Sequence, residues 1–418
     1  MGSTLEAKTT DDPYGLTRPV LDAQGQLIEL AGRGGAAESL LRRHVLRLVR
    51  FEGCHPTDAE AVDRREVAVR VLRHGRVGIW GGSVLPGSAA SIAEIVARAE
   101  ANAIAGPPAG TILASAGAVP RPASRPRLPE AGTLVSLGEA FLSKVRERRP
   151  CFHWSGMVSA ACCIARVVHS AGLDAWSCSA EYRIRLRGRC PAGRSPVDRV
   201  IDVRAGGWEE AMDALLTRID AEFPGSENVM TVPVDLPLTL GPTVVAALCL
   251  TLVRSDEEQS LPLDPRVSII DDPGDWYRGC DDEGVPVVPV SLVAAGKRSV
   301  AWVTVGATSP PTGRAIRSAI DAPPILTALG LRWGAGGDTL PPRTVLLTEL
   351  AGLSQQPDGS VQGMAPEGVV LCDGKPAHRC QGRVLRITAT DAFGRRLSAV
   401  SKEQLATGRH RLPSITLG

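Results

Sequence analysis

Chemistry that needs a metal, a thiolate or an imidazole would have to be built from seven histidines and ten cysteines. The histidines are His44, His55, His74, His153, His169, His378 and His410. None lies in an HExxH or HExxxH segment, the spacing that sets two imidazoles on one helical face for zinc. The densest group of soft ligands is Cys151, His153, Cys162, Cys163 and His169. Its spacing fits no standard site, and thiols in an apolar run are ordinary core residues. No CxxC pair occurs, so neither a zinc ribbon nor a thioredoxin-like centre is indicated. A second group is acidic: Asp271, Asp272, Asp275, Asp281, Asp282 and Glu283, with Pro273, Gly274 and Gly284 between them. Such carboxylates could hold Mg²⁺ or Ca²⁺. The spacing fails the EF-hand pattern, however, and Asp-Asp-Pro and Asp-Glu-Gly are common turn sequences, which reads as a solvated turn. Gly81-Gly82-Ser83-Val84-Leu85 lacks the closing glycine of a nucleophile elbow. Gly334 to Gly337 completes neither a dinucleotide fingerprint nor a P-loop. Arg183, Arg185, Arg187 and Arg189 form a basic strand face without the aromatics that stack on bases, so a solvated face is expected.

The elements that would position these groups follow from periodicity and turn signals. Residues 1–35 read as a flexible arm. Apolar positions at helical spacing predict a helix over 36–48. Alternation over 66–73, a His74-Gly75 turn and a second strand over 76–80 predict a hairpin, followed by a helix over 88–102. Residues 106–129 are rich in proline and read as a linker or surface excursion. Helices are expected over 136–149 and 208–223, and a half-exposed strand over 175–186. Beyond residue 225 helical signals fade. Strands are expected at 229–235, 286–293, 299–305, 343–349, 367–372 and 383–389. The fold class is therefore α+β: an N-terminal α/β domain at 36–225 with strand–strand–helix units, and a C-terminal β-rich domain at 226–418.

Composition limits the function classes. Lys+Arg is 47 and Asp+Glu 45, a net charge of +2, so no general electrostatic drive toward nucleic acid or anionic membrane exists. The longest strongly apolar run, 244–253, is far shorter than the roughly 18–20 residues that span a bilayer. Residues 1–6 show no signal-peptide pattern, so a soluble, cytoplasmic protein is expected.

Several stretches, in order, resemble the TldD/TldE metallopeptidase family, also called PmbA or modulator of DNA gyrase. Residues 66–80 with the following helix look like the family's opening strand–turn–strand–helix. His169-Ser-Ala-Gly-Leu-Asp174 looks like its "N-S-x-G-L" segment. Residues 229–248 are similar to the strand and helix that open its C-terminal domain. Ser268 to Pro273, carrying Asp271 and Asp272, and Asp281 to Pro286, carrying Asp282, Glu283 and Gly284, resemble its paired acidic segments. Thr308 to Gly313, with Thr312, Arg314 and Arg317, resembles its "S-T-G-x-x-x-R" segment, and residues 368–375 its late hairpin.

The resemblance implies two related subunits that pair. A TldD-type subunit carries a metal through an HExxxH helix and a later cysteine, and cleaves peptides; a TldE-type subunit lacks those ligands. Where the metal helix is expected, this chain reads Gly241-Pro-Thr-Val-Val-Ala-Ala-Leu-Cys-Leu-Thr-Leu-Val-Arg254, with no histidine or glutamate. The chain therefore resembles the TldE side: no cofactor of its own, zinc on a TldD-like partner, and an unstructured peptide as substrate, with natural-product precursors among the candidates. Two alternatives remain. One is a stand-alone enzyme drawing ligands from His153, His169, Cys151 or the acidic 271–283 segment. The other is a homodimeric peptide-binding module without chemistry.

Overall fold

The computed structural model describes residues 16, 18–83, 92–109, 119, 127–189, 197–203, 207–222, 229–230, 236–254, 263–274, 277–298, 313–317, 319, 325–326, 330–334, 337–348, 350–356, 360–407 and 410–418. In chain order the first elements are α1 (Arg18–Gly32), β1 (Ala37–Glu52), β2 (His55–Arg73), β3 (Arg76–Ser83) and α2 (Ile92–Ala105). Next come α3 (Ala131–Arg148), β4 (His153–His169), β5 (Asp174–Arg189), β6 (Val197–Val203) and α4 (Trp208–Glu222). The remainder opens with β7 (Val229–Met230), β8 (Leu238–Leu240), α5 (Pro242–Arg254), β9 (Ile269–Asp271) and β10 (Tyr277–Gly279). Short strands follow: β11 (Val290–Ala294), β12 (Lys297–Arg298), β13 (Ala315–Ile316), β14 (Ile325–Leu326), β15 (Leu331–Trp333), β16 (Arg343–Leu347) and β17 (Ala351–Gln355). The chain closes with β18 (Val361–Cys372), β19 (Lys375–Ile387), α6 (Ala389–Phe393), β20 (Leu397–Thr407) and β21 (His410–Leu417). The fold is α+β, as expected.

Two large sheets organise these elements. The first runs β10-β5-β4-β1-β2-β3, with β6 also on β5; the second runs β12-β11-β9-β15-β21-β8-β16-β18-β19-β7, with β17 on β18 and β20 on β21. The hairpin at His74-Gly75 forms as read: both residues have positive φ, 49° and 72°, which suits the right-handed twist of the flanking strands. Strand β10, from beyond residue 225, pairs with β5 and so completes the first sheet.

Two expectations fail. Residues 36–48 form no helix but most of β1, held between β2 and β4. Both its faces are covered: Leu41 and Val49 lie under helices, while Glu38 and Leu40 lie under the C-terminal part of the chain. Apolar residues on both faces erase the period of two and leave a pattern that mimics a helix. Residues 18–32 are no loose arm but α1, whose Val20, Gln24, Leu27, Ile28 and Ala31 are buried at helical spacing. Pro19 and Gly25 hide that pattern, although proline is acceptable in a first helical turn. Residues 1–15, most of 106–129, and 231–235 and 299–305 among the expected strands lie outside the described residues.

Helices α1 and α2 pack on one half of the first sheet, α3 and α4 on the other half of the same face. The second sheet has its own core around α5 and α6. Helix α3 approaches the sheet through Gly138, where an added Cβ would lie 2.1 Å from Phe51 Cζ, a ring only 2% exposed. Alanine normally favours a helix interior over glycine by about 1 kcal/mol. Here Gly138→Ala is expected to destabilise the chain by about 1–3 kcal/mol through overpacking, with Phe51→Leu recovering part of the loss. Urea unfolding of the single and double variants checks this.

Candidate functional site

The acidic residues singled out in the sequence are not solvated. Asp271, Asp281, Asp282 and Glu283 are all at most 3% exposed. They meet arginines brought from the first sheet and from residues 313–317, and together form a buried knot of charge. At its centre is Glu38, on β1, in cross-strand register with Arg70 on β2 and His169 on β4. Arg70 donates through Nη2 to Glu38 Oε2 at 2.6 Å and through Nη1 to Glu283 Oε1 at 3.0 Å. Arg317 donates to the other oxygen of Glu38. His169 Nε2 stands 3.5 Å from Glu38 Oε2. Burial opposes charge on Glu38, but the guanidiniums of Arg70 and Arg317 overcome it and hold its carboxyl down at about 2.

The acidic turn locks the remaining pieces. Asp282 Oδ2 accepts from Arg42 Nη2 at 2.7 Å and from the Arg317 main-chain N–H at 2.6 Å. Asp281 accepts the N–H groups of Glu283 and Val285 on Oδ1 and that of Ala315 on Oδ2. Burial outweighs these donors and raises its carboxyl to about 7. Asp271 pairs with Arg314 and also accepts from the Gly330 N–H at 2.8 Å. Asp272 stays at the rim, accepting from Gly274 N–H at 2.9 Å and pairing with Arg332 at 3.2 Å. Gly284 and Gly313 have φ of +79° and +68°, and a Cβ on Gly313 would lie 2.3 Å from Pro286 O. Both positions therefore need glycine.

The knot thus gathers Asp271, Asp282, Glu283, Gly284, Gly313 and Arg317, with Asp272 beside them; Thr312 lies outside the described residues. Sequence reading missed Glu38, Arg42 and Arg70. Their signal was charge inside otherwise apolar strands, at 38 and 70 in particular. The knot's carboxylates are taken up by arginines and main-chain N–H groups, an arrangement that fixes position rather than leaving a base or nucleophile poised. The soft-ligand group does not assemble. His153 and His169 end opposite tips of the 17-residue β4, about 50 Å apart at roughly 3.3 Å per residue. Cys151 is exposed and Cys162 buried. Burial pushes the Cys163 thiol up to about 12, far from a reactive thiolate.

Helix α5 is a core element. Val244, Val245, Leu248, Cys249 and Leu252 are at most 1% exposed and pack with Leu331, Val345, Phe393 and Ile415. Burial raises the Cys249 thiol well above its ordinary range. Among the described residues no three His, Cys, Asp or Glu side chains are grouped to hold a metal ion. A cavity of about 260 Å³ lies on the opposite face of the first sheet from the knot, lined by α1, α2 and Trp80.

Residues 256–418 match the family model of the PmbA/TldA metallopeptidase C-terminal domain. Over that C-terminal stretch the chain is similar to the PmbA/TldA metallopeptidase family. The fold of the whole chain agrees. TldE from Thermococcus kodakarensis superposes with a TM-score of 0.78 at 17% identity, covering 94% of this chain and 98% of that one. A protein described as a modulator of a DNA gyrase, from Thermotoga maritima, gives 0.75 at 14% identity, covering 95% and 98%. Another so described, from Bacteroides thetaiotaomicron, gives 0.68 at 14%, covering 96% and 98%. At these identities the likeness is one of fold. No curated protein matches the chain. The metal that this likeness implies does not fit α5, where Cys249 is the single candidate ligand and its thiol is sealed in the core.

Two predictions follow from the knot. Glu38→Gln leaves Arg70 and Arg317 buried without their shared counter-charge and is expected to cost about 3–5 kcal/mol in urea unfolding. Asp281 titrates at about 7 when folded against a usual value of 3.8. Its contribution to stability is full below about pH 4 and is lost as pH rises through 7. Asparagine does not titrate, so the stability of wild type relative to Asp281→Asn should fall across that window, by up to about 1.4 kcal/mol per pH unit. Urea unfolding between pH 4 and 8, in steps of about one unit, measures that difference.

Proposed function

We propose that this chain is the metal-free, non-catalytic TldE-like subunit of a heterodimeric TldD/TldE-type zinc peptidase acting on unstructured peptides. Helix α5 carries the reading. It occupies the place where the resemblance expects the metal helix, yet Pro242–Arg254 contains no histidine, aspartate or glutamate. Hydrolytic zinc needs about three protein ligands and an acid/base group. Here that stretch is devoted to packing the second sheet's core. In this reading the TldD-like partner brings the zinc and the scissile chemistry, and this chain stabilises it and shapes the groove for an extended peptide. Main-chain hydrogen bonds along a strand suit a substrate without fixed structure. Precursors of ribosomally made peptide natural products are one such class. No helix among the described residues is long and apolar enough to cross a membrane.

Metal analysis tests the assignment. The purified chain alone should contain no stoichiometric zinc and show no peptidase activity. Co-purified with a TldD-like subunit, the complex should contain one zinc per heterodimer, lost on substituting the partner's HExxxH histidines. Stoichiometric zinc with activity on this chain alone would overturn the reading.

A further inference from the structure

The helix-covered face of the first sheet is not evenly filled. Between α1 and α2 the cavity of about 260 Å³ reaches down to the sheet. Val20 and Leu27 of α1, Leu41 and Val67 of the sheet, and Ile92 and Ile95 of α2 give it apolar walls. Folded interiors leave few voids larger than a water molecule. For scale, an apolar cavity of about 150 Å³ takes up benzene. Gln24, the polar side chain that α1 contributes, is 1% exposed and already engaged. Its Nε2 donates to the Ser39 and Arg166 carbonyls, and its Oε1 accepts from Arg166 Nη1. The interior therefore offers little to hold water. Gly82 accounts for the space. It pairs with Val67, so it faces the helices, and a Cβ there would meet nothing within 4 Å. Gly82 and Ser83 are exposed, and the cavity opens to solvent at that end of β3.

The mouth carries charge of both signs. The Arg98 guanidinium lies 4.8 Å from the centre of the Trp80 ring, which forms one wall. One turn earlier on α2, Glu94 accepts a hydrogen bond from Arg98 Nη2. Both side chains border the cavity and are about half exposed, so this pair is readily opened. From this arrangement we infer that the cavity binds a free apolar α-amino acid. The side chain fills the apolar socket, while at the mouth the carboxylate meets Arg98 and the ammonium meets Glu94. A simple carboxylic acid would meet Glu94 as a like charge, and a simple amine would meet Arg98. Only a head carrying both charges gains from both residues. Ser83 adds a hydroxyl that can donate to the carboxylate. The volume suits a side chain the size of leucine or phenylalanine, and a long acyl chain does not fit. Molecules of this class are what peptide hydrolysis releases. The inference does not rest on the peptidase reading, however, because it uses only the first sheet and its two helices.

Isothermal titration of the full chain with L-phenylalanine tests it. 3-Phenylpropionate and 2-phenylethylamine serve as probes that keep the ring and lose one charge each. Phenylalanine should bind with a Kd of about 1 mM or below. Each single-charge probe should bind at least about tenfold more weakly. Glu94→Gln, at an exposed position, should remove that penalty for 3-phenylpropionate, which then meets Arg98 alone. Gly82→Leu puts a side chain into the empty space and should abolish phenylalanine binding. Its melting temperature should equal or exceed that of wild type, since Gly82 is not among the positive-φ glycines. Phenylalanine that fails to bind at about 10 mM would sink the proposal. So would equal affinity for all three ligands, 3-phenylpropionate still as weak on Glu94→Gln, or undiminished binding to folded Gly82→Leu.

Discussion

One carboxylate, Glu38, holds the molecule's two halves in register. It sits fully buried between Arg70 of its own sheet and Arg317, 279 residues further along the chain. An unpaired charge in that position would cost several kcal/mol, so the geometry of one partner dictates that of the next. Arg70 is fixed by Glu283 as well, and Asp282 of the same turn fixes Arg42. These links close the far end of the first sheet's second face. The small apolar cluster of Leu40, Ala68, Val167, Cys280 and Val285 fills the space beneath them.

The knot also explains why acidic and glycine positions recur together in these segments. A turn that must present Asp281 inward to three main-chain N–H groups, and Asp282 and Glu283 to arginines, has little room for side chains beside it. Gly284 abuts Leu173 and His169, and Gly313 abuts the Pro286 carbonyl. The chemistry of this region is thus architectural. Helix α5 makes the same point from the other side, since its residues serve the second sheet's core and leave no coordinating group facing outward from that core.

Where sequence and structure agree, local rules are enough. The His74-Gly75 hairpin, α2, α3 and α4 are set by turn chemistry and one-sided amphipathicity, and both can be read within about fifteen residues. β1 defeats that reading because it is covered on both faces. The acidic segment defeats it for a different reason. Asp281-Asp282-Glu283 has the composition of an exposed turn, and nothing within the segment reveals that Arg42 and Arg70 arrive from over 200 positions away. The family resemblance supplied the grouping of these residues, but their physical role emerged only from the register of β1 with β2 and β4.

The placement of β10 bears on how the chain comes to be folded at all. β10 and the 280–287 turn complete the first sheet and cover one end of it, yet they follow β5 by some hundred residues. During synthesis from the N-terminus, the strands carrying Glu38, Arg70 and His169 emerge long before the groups that satisfy them. Until residue 317 has been made, that end of the sheet is a wet, charged face with no lid. Non-local pairing of this kind is slow to form and exposes partly finished surface. The N-terminal sheet is consequently a guest of the C-terminal part, and its native state is reached only when just over three-quarters of the chain is present.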